Sequence, residues 1–336
     1  MRYRAVALLA VAFGALALII APHVGATTAR ADSVVTTIPV GEYRPIDVAI
    51  TRDGARAYVT NLNSATVLVI DTATNTVTGT IPVGSNSYGV AITPDGTRAY
   101  VTNYNSATVS VIDTATNTVT GTIPVGGGPQ GVAITRDGTR AYVTNTASLT
   151  VSVIDTATNT VTGTIPVGGQ PWGVDIAPDG TRAYVTASNS VSVIDTATNR
   201  VTSTISVGNV PYDVAITPDG ARAYVTNLDS SSVSVIDTAT NTVIGAAIPV
   251  AGRPYGVAIT PDGTRAYLTD QRSDTVSVID TATNTVIGAA IPVGGQPYGV
   301  AITPDGTRAY VTNLEFTVSV IAIPKSNPKP PTFGSS

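Results

Sequence analysis

Residues 88–127 read YGVAITPDGTRAYVTNYNSATVSVIDTATNTVTGTIPVGG, and the order of residue types in that stretch decides the fold. β-Branched runs alternate with turn chemistry at short, regular intervals, the pattern of successive antiparallel strands. The first run, 90–93, ends at Pro94-Asp95-Gly96. Proline fixes φ, the aspartate side chain accepts a backbone N–H, and glycine takes the positive φ of a tight turn. Runs at 98–102 and 109–113 follow, and DTATNT turns the chain into a fourth at 118–125. There Val119, Gly121, Ile123 and Val125 alternate with Thr118, Thr120, Thr122 and Pro124, the period of a strand with one buried face. Proline cannot donate to a ladder, so Pro124 places this strand at an outer edge. A proline recurs there at 39, 82, 166, 249 and 292.

The unit repeats along the chain. Asp-Gly pairs stand at 53, 95, 137, 179, 219, 262 and 305, spacings of 40 to 43 residues. Four-stranded antiparallel units of this length, seven times over, specify an all-β, seven-bladed β-propeller, because solenoid repeats are shorter or helical. The ends of the array explain each other. The last unit stops at VSVIAIP, 318–324, without a fourth strand, and an orphan fourth strand, SVVTTIPV, stands at 33–40. Residues 34–40 are therefore expected to complete the last blade and close the ring with one strand from each end, leaving no unpaired inter-blade surface.

The RAYVTN segments at 56, 98, 140, 222 and 308, with RAYVTA at 182 and RAYLTD at 265, are flanked by PDG, VIDTATN and PVGG elements. Together these resemble the YVTN-type β-propeller repeat of secreted and cell-surface proteins of bacteria and archaea, over nearly all of residues 34–323. The resemblance implies an extracytoplasmic scaffold. It does not name a ligand, because one fold hosts many functions.

The start of the chain agrees with export. Arg2 and Arg4 precede an unbroken apolar run, 5–21, and a small-residue segment ending Ala29-Arg30-Ala31, the layout of a secretory signal cleaved after Ala31. Domain organisation is then a signal peptide at 1–31, the propeller at 32–324, and a Pro/Ser/Lys tail at 325–336 with no apolar period, expected to be disordered. Cleavage takes the basic residues from 18 to 15 against 22 acidic ones, a net charge of about −7. An acidic surface without a Lys/Arg cluster argues against nucleic acid or an anionic membrane as partner. The one His and the one Met, His23 and Met1, leave with the signal, and there is no Cys. That composition excludes a disulfide framework, haem attachment, the usual zinc sites, a Ser-His-Asp triad and a Cys nucleophile. No cofactor or metal is expected. The mature protein is expected to be a monomer, secreted or held in the periplasm or cell wall.

In a four-stranded meander the turns joining strands one to two and three to four lie at one end of the blade, and the remaining connections lie at the other. The PDG and DTATNT turns are nearly identical in every copy, so one face of the disc is monotonous, and the opposite face carries the segments that differ. Binding residues usually sit on such loops. Just before the first strand run on that face stand Ile46, Tyr88, Gln130, Trp172, Tyr212, Tyr255 and Tyr298. Sevenfold placement sets them in a ring at the mouth of the central channel, where aromatic faces could stack on a ligand or instead plug the gaps between blades. Arg44, Arg253, Asp47 and Asp213 complete the candidate ligand-binding set, with Asp175 and Gln170 nearby. The functional expectation is a non-catalytic binding scaffold for a protein, glycan or small ligand outside the cytoplasm. Two alternatives stay open: a lactone hydrolase or similar Asp-dependent enzyme at the channel mouth, and an architectural surface-layer protein.

Overall fold

A computed structural model describes residues 31–324; the expected signal up to residue 30 and the tail 325–336 lie outside the described residues. Seven antiparallel sheets follow one another along the chain, and the last has the order Ser33–Pro39, Thr317–Ala322, Arg308–Asn313, Pro297–Ile302. The N-terminal strand thus closes the ring as expected, with Ile38 opposite Val318 and Thr37 opposite Ser319. Blades one to six run from 45 to 82, 87 to 124, 129 to 166, 171 to 206, 211 to 249 and 254 to 292. Blade five departs from the others: its outer strand is split into Thr242–Val243 and Ile248–Pro249 around a Gly245 at φ 63°.

Two boundaries differ from the sequence reading. The inner strand of the quoted unit is Ser87–Ile92, so Tyr88 lies inside the strand and not before it. The reason is a pairing of Ser87 with Asn103 beyond a register irregularity that ends at Val90; the irregularity hides the strand's first residues from a period-two count. The outer strand, Thr118–Pro124, also buries less than its alternation suggests. Val119 remains 37% exposed while Ile123 is buried, because the register shifts between Val111 and Ile112 on its partner strand.

The core lies between blades. In the second and third strands of blade two, Ala99–Asn103 and Val109–Ile112, all residues are buried, with only strand ends partly exposed, and the other blades follow the same pattern, as expected where both faces of a sheet are covered. One apolar cluster fills each gap; that between blades three and four joins Tyr142, Val151, Val153 and Ile165 to Val174, Ile176, Val185 and Ile194.

The RAYVTN hexapeptide explains how the gaps are sealed. Tyr58 is fully buried, and its hydroxyl donates to Asn117 Oδ1 of the next blade at 2.7 Å, while the Arg56 guanidinium donates to the Thr114 carbonyl at 2.5 Å. The same pair of bonds recurs from Tyr100 and Arg98 to Asn159 and Thr156, and from Tyr310 and Arg308 back to Asn75 and Thr72 of blade one. Nearer the axis, Thr102 Oγ1 donates to the Gln130 carbonyl of the next blade at 2.6 Å and accepts from Gly89 N–H at 2.8 Å. The Asn of the motif ties its own blade, Asn103 donating to Ser110 Oγ at 3.0 Å.

Only the gap between blades six and seven lacks this chemistry, because blade seven has no DTATN turn. Asp32 takes its place. Its carboxylate accepts from Arg265 at 3.1 Å and from the Tyr267 hydroxyl at 2.7 Å. Through Asp32 the closing strand therefore contributes a charge-assisted seal as well as a β-ladder.

Candidate functional site

The inner strands bring most of the predicted residues to one place, with Tyr255 outside the lining and packed against Tyr212 and Tyr298. Ile46, Asp47, Tyr88, Gln130, Trp172, Tyr212, Asp213 and Tyr298 line a single cavity of about 90 Å³ on the channel axis. Thr of the preceding blade fixes each position: Thr144 Oγ1 donates to the Trp172 carbonyl at 2.6 Å and Thr226 Oγ1 to the Tyr255 carbonyl at 2.7 Å. The following residue is glycine in five blades because the next backbone is so close. A Cβ on Gly131 would stand 2.6 Å from the Trp172 carbonyl oxygen, and one on Gly256 would stand 2.6 Å from that of Tyr298.

The aromatic side chains do not stand as an open ring. They gather on one side of the channel around Tyr212, whose ring centroid lies 5.5 Å from Trp172, 4.8 Å from Tyr255 and 5.7 Å from Tyr298. Tyr255 and Tyr298 are 4.5 Å apart, and the Tyr212 and Tyr298 hydroxyls share a hydrogen bond. These separations are those of attractive offset and edge-to-face pairs. Tyr88 also lines the cavity, with its hydroxyl toward Tyr298, and its ring centroid lies 5.9 Å from that of Tyr104. Gln130 is buried, and Ile46, almost fully buried, supplies an apolar wall.

Beneath the aromatic cluster stand carboxylates. In blades one and five, Asp47 and Asp213 occupy the position that holds glycine elsewhere. Asp213 accepts from its neighbour Val214 N–H at 2.9 Å and from Val257 N–H of blade six at 3.0 Å; Asp47 does the same with Val48 at 2.8 Å and Val90 of blade two at 3.0 Å. Asp175, two residues further along the inner strand of blade four, bridges Ile176 and Ile216 at 2.8 Å each. Burial away from bulk water pushes the Asp47 and Asp175 carboxyls up to about 6. Asp213 is pushed to about 7, by burial first and then by repulsion from Asp47 and Asp175. The backbone N–H bonds oppose the rise without cancelling it.

The predicted arginines lie apart from the cavity lining. Arg253 pairs with Asp229 of blade five at 3.0 Å and stands 5.9 Å from the Tyr255 ring centroid. Arg44 is half-buried, with its carbonyl accepting from Leu62 N–H at 3.0 Å.

The loops on this face share one backbone frame. In every blade the turn between strands two and three is hydrogen-bonded to the connection entering the blade, as in Tyr104 N–H to Asn86 O at 2.8 Å and Leu314 N–H to Gln296 O at 3.0 Å. Each such turn carries a residue at positive φ: Ala65, Ala107, Leu149, Ser188, Ser231, Asp274 and Phe316. Leu149 and Phe316 adopt that conformation while 46% exposed, at a cost of about 1 kcal/mol each for a bulky L-residue. Sequence reading missed both, since nothing in their neighbours marks the positive φ.

A family model described as YNCE-like beta-propeller matches residues 91–182, from the inner strand of blade two into the second strand of blade four. Its match agrees with the YVTN-type resemblance and with the seven-bladed fold. A chain in the solved structure of Kuenenia stuttgartiensis hydrazine synthase is 27% identical, with a TM-score of 0.77, covering 83% of this chain and 96% of that one. No curated protein matches.

Proposed function

We propose that this propeller is an exported, non-catalytic binding scaffold, monomeric and free of the membrane once its signal is removed, whose partner docks on the face around the channel mouth. One observation carries the reading. On that face the loop backbones are pinned alike in all blades while their side chains differ, whereas on the other face both the backbone and the side chains of the turns repeat, except where blade seven lacks its DTATN turn. A frame that is already ordered loses little conformational entropy on binding, and side-chain variation on it generates specificity. The strained, exposed Leu149 and Phe316 sit on the same face, and exposed apolar groups held at a conformational cost favour a protein surface as the partner.

Leu149→Asn and Phe316→Asn test this, because Asn accepts positive φ readily and the fold gains rather than loses stability. The expected result, in crosslinking to envelope proteins and on an array of cell-wall glycans, is at least a tenfold drop in capture with an unchanged or raised melting temperature. Thr97→Ala and Thr116→Ala, exposed on the repetitive face, are expected to leave capture alone; the reverse pattern would sink the proposal. The raised Asp47 and Asp213 carboxyls favour a second reading, an acid–base enzyme in the channel, since groups of that pKa suit proton transfer near neutral pH. Turnover of lactones that vanishes in Asp213→Asn would put that reading first.

A further inference from the structure

We propose that the channel-mouth cavity binds a small organic cation, an alkylammonium group between methylammonium and tetramethylammonium in size. This deepens the binding-scaffold reading and rests on the channel mouth being the recognition end. Three features meet there. The cavity is lined by four aromatic residues, Tyr88, Trp172, Tyr212 and Tyr298, and by Asp47 and Asp213. No Lys or Arg is among the lining residues. The ion pairs found among the described residues, Arg253 with Asp229 and Arg265 with Asp32, leave the channel carboxylates out.

Each feature taken alone has a structural use, but their sum has a charge preference. Aromatic faces carry the negative end of a quadrupole and attract cations by about 0.5–2 kcal/mol per contact, most strongly where water is excluded. A carboxylate taken out of water without a counter-charge costs several kcal/mol, which an incoming cation offsets. Five of the seven blades avoid that cost with glycine at the same position; blades one and five do not.

Size narrows the class. The volume of about 90 Å³ is several times what one ordered water needs and well below the roughly 300–1,000 Å³ of sites for drug-sized ligands. A metal ion is a poor match, since among the described residues no three acidic or His side chains converge as a ligand set. An alkylammonium group uses the apolar walls and the carboxylates together.

The test is calorimetric titration of the mature protein with methylammonium, trimethylammonium and tetramethylammonium chlorides, against tert-butanol as the neutral shape-mimic and sodium chloride at matched ionic strength. Trp172, the only tryptophan, reports the same event by fluorescence. The account expects saturable binding of at least one ammonium ion, ten times tighter than tert-butanol, weakened at least tenfold by Asp213→Asn and by Asp47→Asn in variants whose melting shows a folded protein. The titratable residues lining the cavity are Asp47, Asp213, Tyr88, Tyr212 and Tyr298, with Asp175 outside the lining but near enough to repel Asp213. A cation favours ionised carboxylates, so affinity should rise from pH 5 to pH 8 and flatten in Asp213→Asn. Equal response to tert-butanol and the ammonium ions, or no saturable signal from either, overturns the proposal. Ammonium binding that survives Leu149→Asn and Phe316→Asn, in variants that lose capture of a protein or glycan, separates this site from the docking surface; capture that survives loss of the cation does so from the other side.

Discussion

Removing residues 32–40 is expected to lower the melting temperature of the propeller by about 10–15 °C, or to abolish cooperative melting altogether. The strand they form serves two interfaces at once. Ile38 and Val40, both buried, pack with Val48, Val59 and Leu68 of blade one and Val318 and Val320 of blade seven. Val34 lies against the cluster of Tyr267, Val276, Val311 and Ile321 that joins blades six and seven. Burying a Val or Ile side chain contributes about 1.5–3 kcal/mol, and the ladder to Thr317–Ala322 adds net hydrogen-bond stability of about 1 kcal/mol per bond at most. The sum exceeds about 5 kcal/mol, comparable to the whole stability of an ordinary domain, and about 2 °C per kcal/mol is the usual conversion at this size. Asp32→Ala isolates the seal from the strand. It leaves Arg265 and Tyr267 without their partner and is expected to cost about 1–3 kcal/mol, read as a smaller drop in the same melt. A truncated protein that melts with the full chain would show that the ring does not depend on this strand.

Stability should fall as the pH rises from about 4 to 7, the reverse of the trend for a protein held together by surface ion pairs. Asp47 and Asp175 have folded-state values of about 6, and Asp213 and Asp270 of about 7, against an ordinary 3.8. A carboxyl whose folded pKa lies above its unfolded one binds protons more tightly when folded. Its contribution is complete below the unfolded value and lost as the pH climbs through the folded one. Asp270 belongs to the set for a separate reason: it replaces the Asn of the motif in blade six, is fully buried, and its carboxyl accepts only from Ser277, at 2.5 Å. The exposed turn aspartates, such as Asp71 and Asp113, are shifted the other way by their Thr hydrogen bonds, and being solvated they add a shallow loss only below about pH 4. Asp213→Asn should therefore cross the parent. At pH 4 it loses an acceptor for one of two backbone N–H groups and is less stable by about 1 kcal/mol. At pH 8 it escapes the burial of a charge and is more stable by about 1–3 kcal/mol. Melting curves of both proteins from pH 4 to pH 8 check the crossing; parallel curves would mean that the carboxyl is solvated.

The fold was legible because every repeated residue does local or nearest-neighbour work. Pro94-Asp95-Gly96 shapes its own turn, with the Thr97 N–H bonded to Asp95 at 3.0 Å, and the Asp-Gly spacing counts the blades directly. The missing fourth strand after VSVIAIP and the spare one at 33–40 fit together by subtraction. The site was legible only as a list of positions. Sevenfold symmetry places residues 46, 88, 130, 172, 212, 255 and 298 at the axis, but the way side chains of unequal size share one narrow channel depends on contacts between blades far apart in sequence, such as Tyr212 with Tyr298. The same holds for Asp213, whose burial and repulsion arise from Asp47 and Asp175 in other blades. Asp32 reads in the sequence as the residue after a cleavage site; its part as a substitute for the Asn and Thr of an absent turn emerges only when the ring is closed.

The central claim is that the channel mouth holds half-buried carboxylates without a counter-charge beside a packed aromatic cluster. The most direct measurement is a carbon-13 NMR titration of the aspartate carboxyls, with Asp47→Asn, Asp175→Asn and Asp213→Asn assigning the signals. The account predicts three channel carboxyls with midpoints near pH 6 to 7, lowered on addition of tetramethylammonium. Midpoints near 4 for all three, unmoved by the cation, would contradict it.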